Sequence, residues 1–133
     1  MRTPTTSLLA VTAALACLAA APAPTVLVGS TETQGHVLTD TAGQTLYVHD
    51  GALCTGPCTD TRHPLRTGAD TLPTLPPGID GTLGTLLRPD DGSLQLTYDG
   101  DPLYTYTGDT QPSDTNGITP DWHTVPARYL PTG

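Results

Sequence analysis

Proline and glycine interrupt this chain so often that no long helix fits beyond its N-terminal apolar run. The sequence holds 14 prolines and 14 glycines, and most of them follow that run. Proline removes a backbone donor and clashes with the preceding helical turn, while glycine costs backbone entropy inside a helix. The segments between them are short, rich in Val, Leu, Tyr and Thr, and bounded by Asp, Gly and Pro, which is typical of β-strands. The sequence predicts a small, loop-rich, all-β domain with antiparallel, sandwich-like sheets.

Charge and length narrow the class further. The 133 residues suit one small domain. Five arginines, no lysine and 13 acids give a formal net charge of −8. Such a chain repels phosphate, so nucleic acid is excluded as a partner, and contact with an anionic membrane surface is disfavoured. All the acids except Glu32 are aspartates, whose short carboxylates cap turns, so the acidity indicates loops.

The first residues have the layout of a secretory signal peptide. Residues 1–21 begin with Arg2, continue through an apolar run from Leu8 to Leu18 and end in small residues. The run is shorter than the roughly 20 apolar residues of a membrane span. We therefore expect an exported protein whose only helix lies in this leader.

Cys17 offers two ways of processing the leader. Ala14-Leu15-Ala16-Cys17 resembles the cleavage box of bacterial lipoproteins, in which case the leader ends at residue 16 and Cys17 carries the lipid. The alternative is ordinary cleavage nearby, which leaves a freely secreted protein. Membrane contact is expected only through such a lipid anchor.

Residues 22–34 read as an Ala/Pro tether with an initial strand, and residues 35–133 as one β domain. Within the domain, Asp99-Gly100 predicts a two-residue hairpin turn joining 94–98 to 102–107, with Leu96 opposite Leu103 and Gln95 opposite Tyr104. An earlier hairpin closes through residues 40–43, and a four-residue loop would place Val37 opposite Leu46.

The two hairpins share one pattern. The stretch from Gly43 to His49 aligns with that from Gly100 to Tyr106 at a constant offset of 57 residues. The domain is therefore predicted to contain two degenerate repeats, residues 36–66 and 82–126.

These repeats, with the Cys-x3-Cys segment and a C-terminal Trp-His-Thr-Val, resemble the bacterial secreted-repeat lipoproteins, a family of unknown function marked by a Tyr-x4-Asp motif. Tyr104 and Asp109 keep the motif spacing, whereas Ala52 stands at the corresponding distance from Tyr47. Tyr106 and Trp122 complete the motif residues. The resemblance implies an exported β-rich module of the cell envelope with an unknown envelope partner and no established reaction.

Two positions depart from the family. Arg62-His63-Pro64-Leu65 stands where a Trp-Pro-Pro-Leu-like run is usual, and His49 stands where an aromatic residue is usual. A stacked aromatic platform therefore cannot be assumed.

The segment from His49 to His63 admits three interpretations. Cys54 and Cys58, the only cysteines after the leader, are expected to form a disulfide in an exported domain. Alternatively, His49, Cys54, Cys58 and His63 could bind zinc or copper, since two thiolates and two imidazoles suit a tetrahedral site. A redox-active pair is the third interpretation, although the Cys-x3-Cys spacing is one residue too long for the usual redox motif.

Other features favour structural interpretations. Tyr47, Tyr104 and Tyr106 could form an exposed aromatic strip but are expected to pack across strands. Asp109, Asp114 and Asn116 could hold calcium, yet they lack EF-hand spacing and are expected to cap turns. The lone Trp122 is expected in the core. No nucleophile elbow or His-Glu-x-x-His motif occurs, so we expect a non-enzymatic protein without a cofactor.

Overall fold

The computed structural model describes residues 23–131 and confirms the all-β prediction. Every strand pairing in this part is antiparallel, and the one helical element is a 3-10 turn at Gly56–Asp60. No helix in the described range has the length and hydropathy needed to cross a membrane. Residues 1–22, which include Cys17 and the expected leader helix, lie outside the described part, as do residues 132 and 133. The strands are β1 (Leu27–Ser30), β2 (His36–Thr39), β3 (Tyr47–His49), β4 (Arg62–Pro64), β5 (Arg66–Thr67), β6 (Leu83–Leu87), β7 (Leu94–Tyr98), β8 (Asp101–Pro102), β9 (Tyr104–Tyr106) and β10 (Trp122–Thr124).

Each repeat begins with a hairpin and then sends a strand into a shared sheet. In the first hairpin β1, which precedes the predicted repeat 36–66, pairs with β2; in the second β6 pairs with β7. The first structural unit therefore begins at β1. The backbone N–H of Leu46 donates to Leu38 at 3.0 Å, and Leu103 donates to Leu96 at the same distance. The predicted Leu96–Leu103 pairing is thus confirmed, and the first repeat copies it with Leu38 and Leu46.

The predicted register of the first hairpin is wrong by one residue. Val37 bridges to Pro126, while Thr39 lies opposite Thr45. The loop closes earlier because the Asp40 carboxylate accepts the backbone N–H groups of Ala42 and Gln44, each at 2.9 Å. Gly43 supplies the positive φ, 87°, that such a three-residue hairpin loop needs.

The predicted strand 102–107 is also wrong, because it divides at Leu103. Residues before Leu103 pair with β7, whereas those after it form β9 in another sheet. Gln95 therefore does not lie opposite Tyr104; it pairs with Arg66, and its amide donates to the Leu103 carbonyl at 2.8 Å. The side chain of Gln95 thus stabilises the point at which the strand changes sheets.

The shared sheet interlocks the repeats. Its strand order is β10-β3-β9-β4, so each repeat contributes a central strand, and the outer strand beside it comes from the other repeat. Tyr47 lies opposite Tyr104 at the centre, and the outer pairs Trp122–His49 and Arg62–Tyr106 are equivalent under the 57-residue offset of β3 and β9. Because each repeat completes the other's sheet, neither can form its half alone.

Two clusters of buried side chains hold the sheets together. The larger cluster lies between the hairpins, and even Val26, within the segment expected to be a tether and initial strand, is fully buried in it. The smaller cluster lies on one face of the shared sheet around Tyr47, Tyr104 and Trp122, and Cys54 packs against it. The family-motif residues therefore occupy the contact between the repeats.

Candidate functional site

The Tyr-x4-Asp motif forms hydrogen bonds between the repeats. The Tyr47 hydroxyl donates to Asp109 Oδ2 at 2.6 Å, although Asp109 belongs to the motif that begins at Tyr104. The same hydroxyl accepts the backbone N–H of Gly117 at 3.1 Å, and Asp109 Oδ1 accepts that of Asn116 at 2.9 Å. All three tyrosines are in the interior or half-buried, so they pack across strands and form no exposed strip.

The first repeat has an equivalent hydrogen bond, but its loop is held by a disulfide and not by a carboxylate. The Tyr104 hydroxyl accepts the backbone N–H of Cys54 at 3.1 Å, as the Tyr47 hydroxyl accepts that of Gly117. Here Ala52 replaces the acid, and the loop is instead held by the disulfide between Cys54 and Cys58, with an S–S distance of 2.04 Å. The predicted disulfide is confirmed, and it takes over the loop-fixing part that Asp109 plays in the second repeat.

The buried side chain of Arg88 holds the disulfide loop in place. No sequence pattern predicted this role. Its side chain is 1% exposed and donates to the Cys54 carbonyl at 2.8 Å, to Gln95 at 2.6 Å and to Asp90 at 2.9 Å. Burial alone would lower the pKa of Arg88, but the hydrogen bond that its guanidinium donates to the Asp90 carboxylate opposes this effect, and the net shift of the pKa is upward. Its position in the sequence did not indicate burial, because an arginine just before a Pro-Asp turn is normally exposed to solvent.

The four residues of the alternative metal site do not converge. Cys54 and Cys58 are bonded to each other, which removes both thiolates. His49 Nδ1 lies 2.8 Å from the carbonyl oxygen of Ala52, and His63 is exposed on β4. Residues 23–131 contain no group of three or more His, Cys, Asp or Glu side chains placed to hold a metal ion.

The loop considered for calcium is closed by its own carboxylates. Asp114 Oδ2 accepts the backbone N–H groups of Thr110 and Gln111 at 3.0 and 2.9 Å. With Asp109 committed to Tyr47 and Asn116, these oxygens act as turn caps.

Arg62 occupies the place of a stacked aromatic residue. Its guanidinium carbon lies 4.2 Å from the ring centre of Tyr106 and 4.3 Å from that of Trp122, while His49 stacks on Trp122 at 4.4 Å. The guanidinium is planar and suits aromatic faces. The platform that the sequence left in doubt therefore exists, with Arg62 and His49 as two of its layers.

Burial lowers the pKa of Arg62, and its Nη2 donates to the Gly117 carbonyl at 2.9 Å. Gly117 is required at this contact, because a β-carbon there would lie 2.7 Å from Arg62 Nη1.

An open apolar cleft lies beside this platform. It has a volume of about 470 Å³ and runs between the loop after β3 and the end of β6. Ala52, Leu53, Leu86, Leu87, Pro89 and Pro102 give it an apolar lining, which His49 and Tyr104 complete. Leu87 is 65% exposed, and it lies in this cleft with the other apolar lining residues. No sequence pattern marked Leu86 or Leu87, because a short apolar strand normally faces the core.

Comparison with known families identifies the second repeat. Residues 85–125 match the model of a family described as a secreted repeat of unknown function. This match confirms, over residues 85–125, the resemblance expected from the motif residues. The matched stretch runs from within β6 to the residue after β10, and the first repeat is related to it by the equivalent pairings described above. No curated protein and no solved structure matches the chain.

The Tyr47–Asp109 pair predicts sensitivity to alkaline pH. Burial, followed by the hydrogen bond to Asp109, raises the pKa of Tyr47 well above its ordinary value of 10.0. A raised folded-state pKa means that the stability is intact below about pH 10 and falls as pH rises further, by up to about 1.4 kcal/mol per pH unit for this group. Thermal unfolding of the wild type should therefore show a midpoint that drops steeply above about pH 10.

The Tyr47→Phe variant is the control for this prediction. It should be less stable than the wild type at neutral pH but should lose less stability between about pH 9 and 11. Parallel pH curves for the two proteins would contradict the assignment to Tyr47.

Proposed function

We propose that this chain is an exported, non-catalytic binding module of the cell envelope, and that the apolar cleft beside Leu87 takes its ligand. The observation behind the proposal is the exposed apolar surface of the cleft. The motif side chains, by contrast, are buried in hydrogen bonds between the repeats and are not available to a ligand. Exposed apolar patches of this kind mark binding surfaces in soluble domains.

The construction of the cleft supports binding. One wall, the loop after β3, is fixed by the disulfide, by the Arg88 bond to the Cys54 carbonyl and by the Cys54 bond to Tyr104. The other wall is β6, held along its whole length by β7. Two rigid walls present the apolar surface without a folding cost on binding, which favours affinity.

A neutral apolar dye tests the cleft directly. N-phenyl-1-naphthylamine should bind the folded wild-type protein with enhanced fluorescence, and binding should weaken about tenfold or more in Leu87→Asp, because a carboxylate is desolvated there. Dye titration by fluorescence measures this.

The matched control is Ser30→Asp, which adds the same charge at the equivalent, exposed position of β1. It should bind dye like the wild type. Equal binding by all three proteins, or none by any of them, would reject the cleft as the ligand site.

The family's secreted character supports export, and we propose that Cys17 carries a lipid anchor. When the full chain is made in a bacterial host, the wild type should fractionate with membranes and carry a diacylglycerol on a mature chain beginning at Cys17. Cys17→Ser should be released without lipid. Intact mass and detergent-phase partitioning measure both, and a wild type that is cleaved elsewhere and released like the variant would show free secretion.

A further inference from the structure

The two repeats present equivalent surfaces, and the first of them is covered by the chain itself. The segment after β9 crosses the first hairpin: the backbone N–H of Ser113 donates to the Gly43 carbonyl at 2.9 Å. A β-carbon at Gly43 would lie 3.1 Å from the Pro112 ring, and one at Gly29 would overlap Ser113 Oγ. The first hairpin is thus capped by a turn that contains Pro112 and is closed by the hydrogen bond from the Asp114 N–H to the Gln111 carbonyl.

The equivalent surface of the second repeat is open. Gly100 corresponds to Gly43, has a similar φ of 90° and has nothing within 4 Å of its β-carbon position. At the same offset Leu86 and Leu87 replace Gly29 and Ser30. The linker that would cover them is shorter, with 12 residues between β3 and β4 against 15 between β9 and β10. The disulfide also ties that linker back on itself.

The two surfaces differ in chemistry as well as in cover. The cavity of the first repeat, about 360 Å³, is lined by polar residues such as Ser30, Thr31 and Thr115. The cleft of the second is lined mainly by leucine, proline and alanine. An occupant of the second cleft must therefore be apolar where it touches Leu86 and Leu87.

Strand β6 offers backbone groups to such an occupant. It pairs only with β7 within the described residues. Arg88 donates to Ser93 and Asp99 donates to Thr82 across this pair, so by antiparallel alternation Leu83, Thr85 and Leu87 direct their N–H and C=O groups away from β7. A free edge beside an apolar cleft is the arrangement that binds an extended peptide by adding a strand.

Charge restricts the occupant further. Exposed aspartates flank the lining residues in sequence at Asp50, Asp90 and Asp101. Asp50 and Asp90 have partners in His123 and Arg88, but the whole chain is acidic. Basic residues at the ends of a bound segment would therefore be attracted, and acidic ones repelled.

We propose that the cleft docks an extended segment of a partner protein along the β6 edge, with aliphatic residues at its centre and arginine or lysine at its ends. This inference rests on the proposed binding function and names its ligand class. Peptide docking would use the β6 edge for affinity and the cleft for side-chain selection.

Displacement of the naphthylamine dye by synthetic peptide pools tests the proposal. Three pools of peptides of about nine residues, long enough to span a strand and both flanks, would be compared: Leu/Val/Ile centres with Arg ends, the same centres with Asp ends, and Ser/Gly centres with Arg ends. The first pool should displace dye from the wild type and from Ser30→Asp at about tenfold lower concentration than either other pool. It should fail on Leu87→Asp. Amide hydrogen exchange at Leu83, Thr85 and Leu87 should slow when the peptides bind.

The outcomes separate the two proposals. If the dye binds the cleft but no pool displaces it, or if pools with basic and acidic ends act alike, the peptide inference is overturned and the binding function stands. Binding without slowed exchange on β6 would overturn the strand-addition geometry. If neither dye nor peptide depends on Leu87, both proposals fail.

Discussion

Trp122→Ala is expected to lower the free energy of unfolding by about 3–5 kcal/mol, the usual cost of emptying a large aromatic site in a core. Trp122 is 7% exposed and stacks between His49 and the Arg62 guanidinium, with the Tyr104 ring edge-on at 5.0 Å. Its loss leaves a cavity and removes one face from the buried cation. Urea unfolding followed by circular dichroism measures the change, since the variant has no tryptophan to report by fluorescence.

Tyr129→Ala is the matched control. Tyr129 is also aromatic and contacts a histidine, His36, edge-on at 6.0 Å, but it is 58% exposed. Its removal should cost about 1 kcal/mol or less. Similar losses in the two variants would contradict the central position assigned to Trp122.

Asp109→Ala is expected to cost about 3 kcal/mol, because it removes a carboxylate that holds the two repeats together. The change deprives the buried Tyr47 hydroxyl and the Asn116 N–H of their acceptor, and hydrogen bonds to a charged group contribute about 1.5–3 kcal/mol each. Urea unfolding at neutral pH measures the loss. The variant should also lose the part of the alkaline pH dependence that arises from the hydrogen bond to Asp109.

Asp114→Ala, in the same loop, is the control for this variant. Asp114 caps Thr110 and Gln111 in an exposed turn, so about 1 kcal/mol is expected, as for an exposed cap. If Asp114 mattered as much as Asp109, the motif acid would be acting on its loop alone and would not be joining the repeats.

The departures from the family pattern are explained by the way the repeats interlock. Arg62 and Trp122 are equivalent residues on the outer strands of the shared sheet, and both lie in one stack. Arg62 stands where the family resemblance predicts a tryptophan. Its guanidinium keeps a planar surface in the stack and donates a hydrogen bond to the Gly117 carbonyl. The histidine at position 49 likewise keeps the stacked geometry on Trp122.

Local features were readable from the sequence because their causes are local. Asp99-Gly100 adopts positive φ at both residues, 50° and 90°, so the second hairpin and its Leu96–Leu103 register followed from turn chemistry alone. Cys54 and Cys58 lie four positions apart in one loop, with Gly56-Pro57 between them, and they form the predicted disulfide. The predicted register of the first hairpin was wrong by one residue, because the Asp40 carboxylate accepts the Gln44 N–H and shortens the loop.

The sequence by itself predicted the all-β class, the family resemblance of residues 85–125 and the disulfide, since each depends on residue types and their spacing along the chain. Only the tertiary structure decided that Tyr47 bonds to the acid of the other motif, that Arg62 is a layer of the stack, and that Arg88 supports the disulfide loop. These contacts join residues 34 to 62 positions apart. They arise because the chain passes from one sheet to another at Leu103, and no residue pattern in the sequence predicts that change of sheet. The tertiary structure also decided the exposed cleft, because the shorter linker of the first repeat does not cover the hairpin of the second.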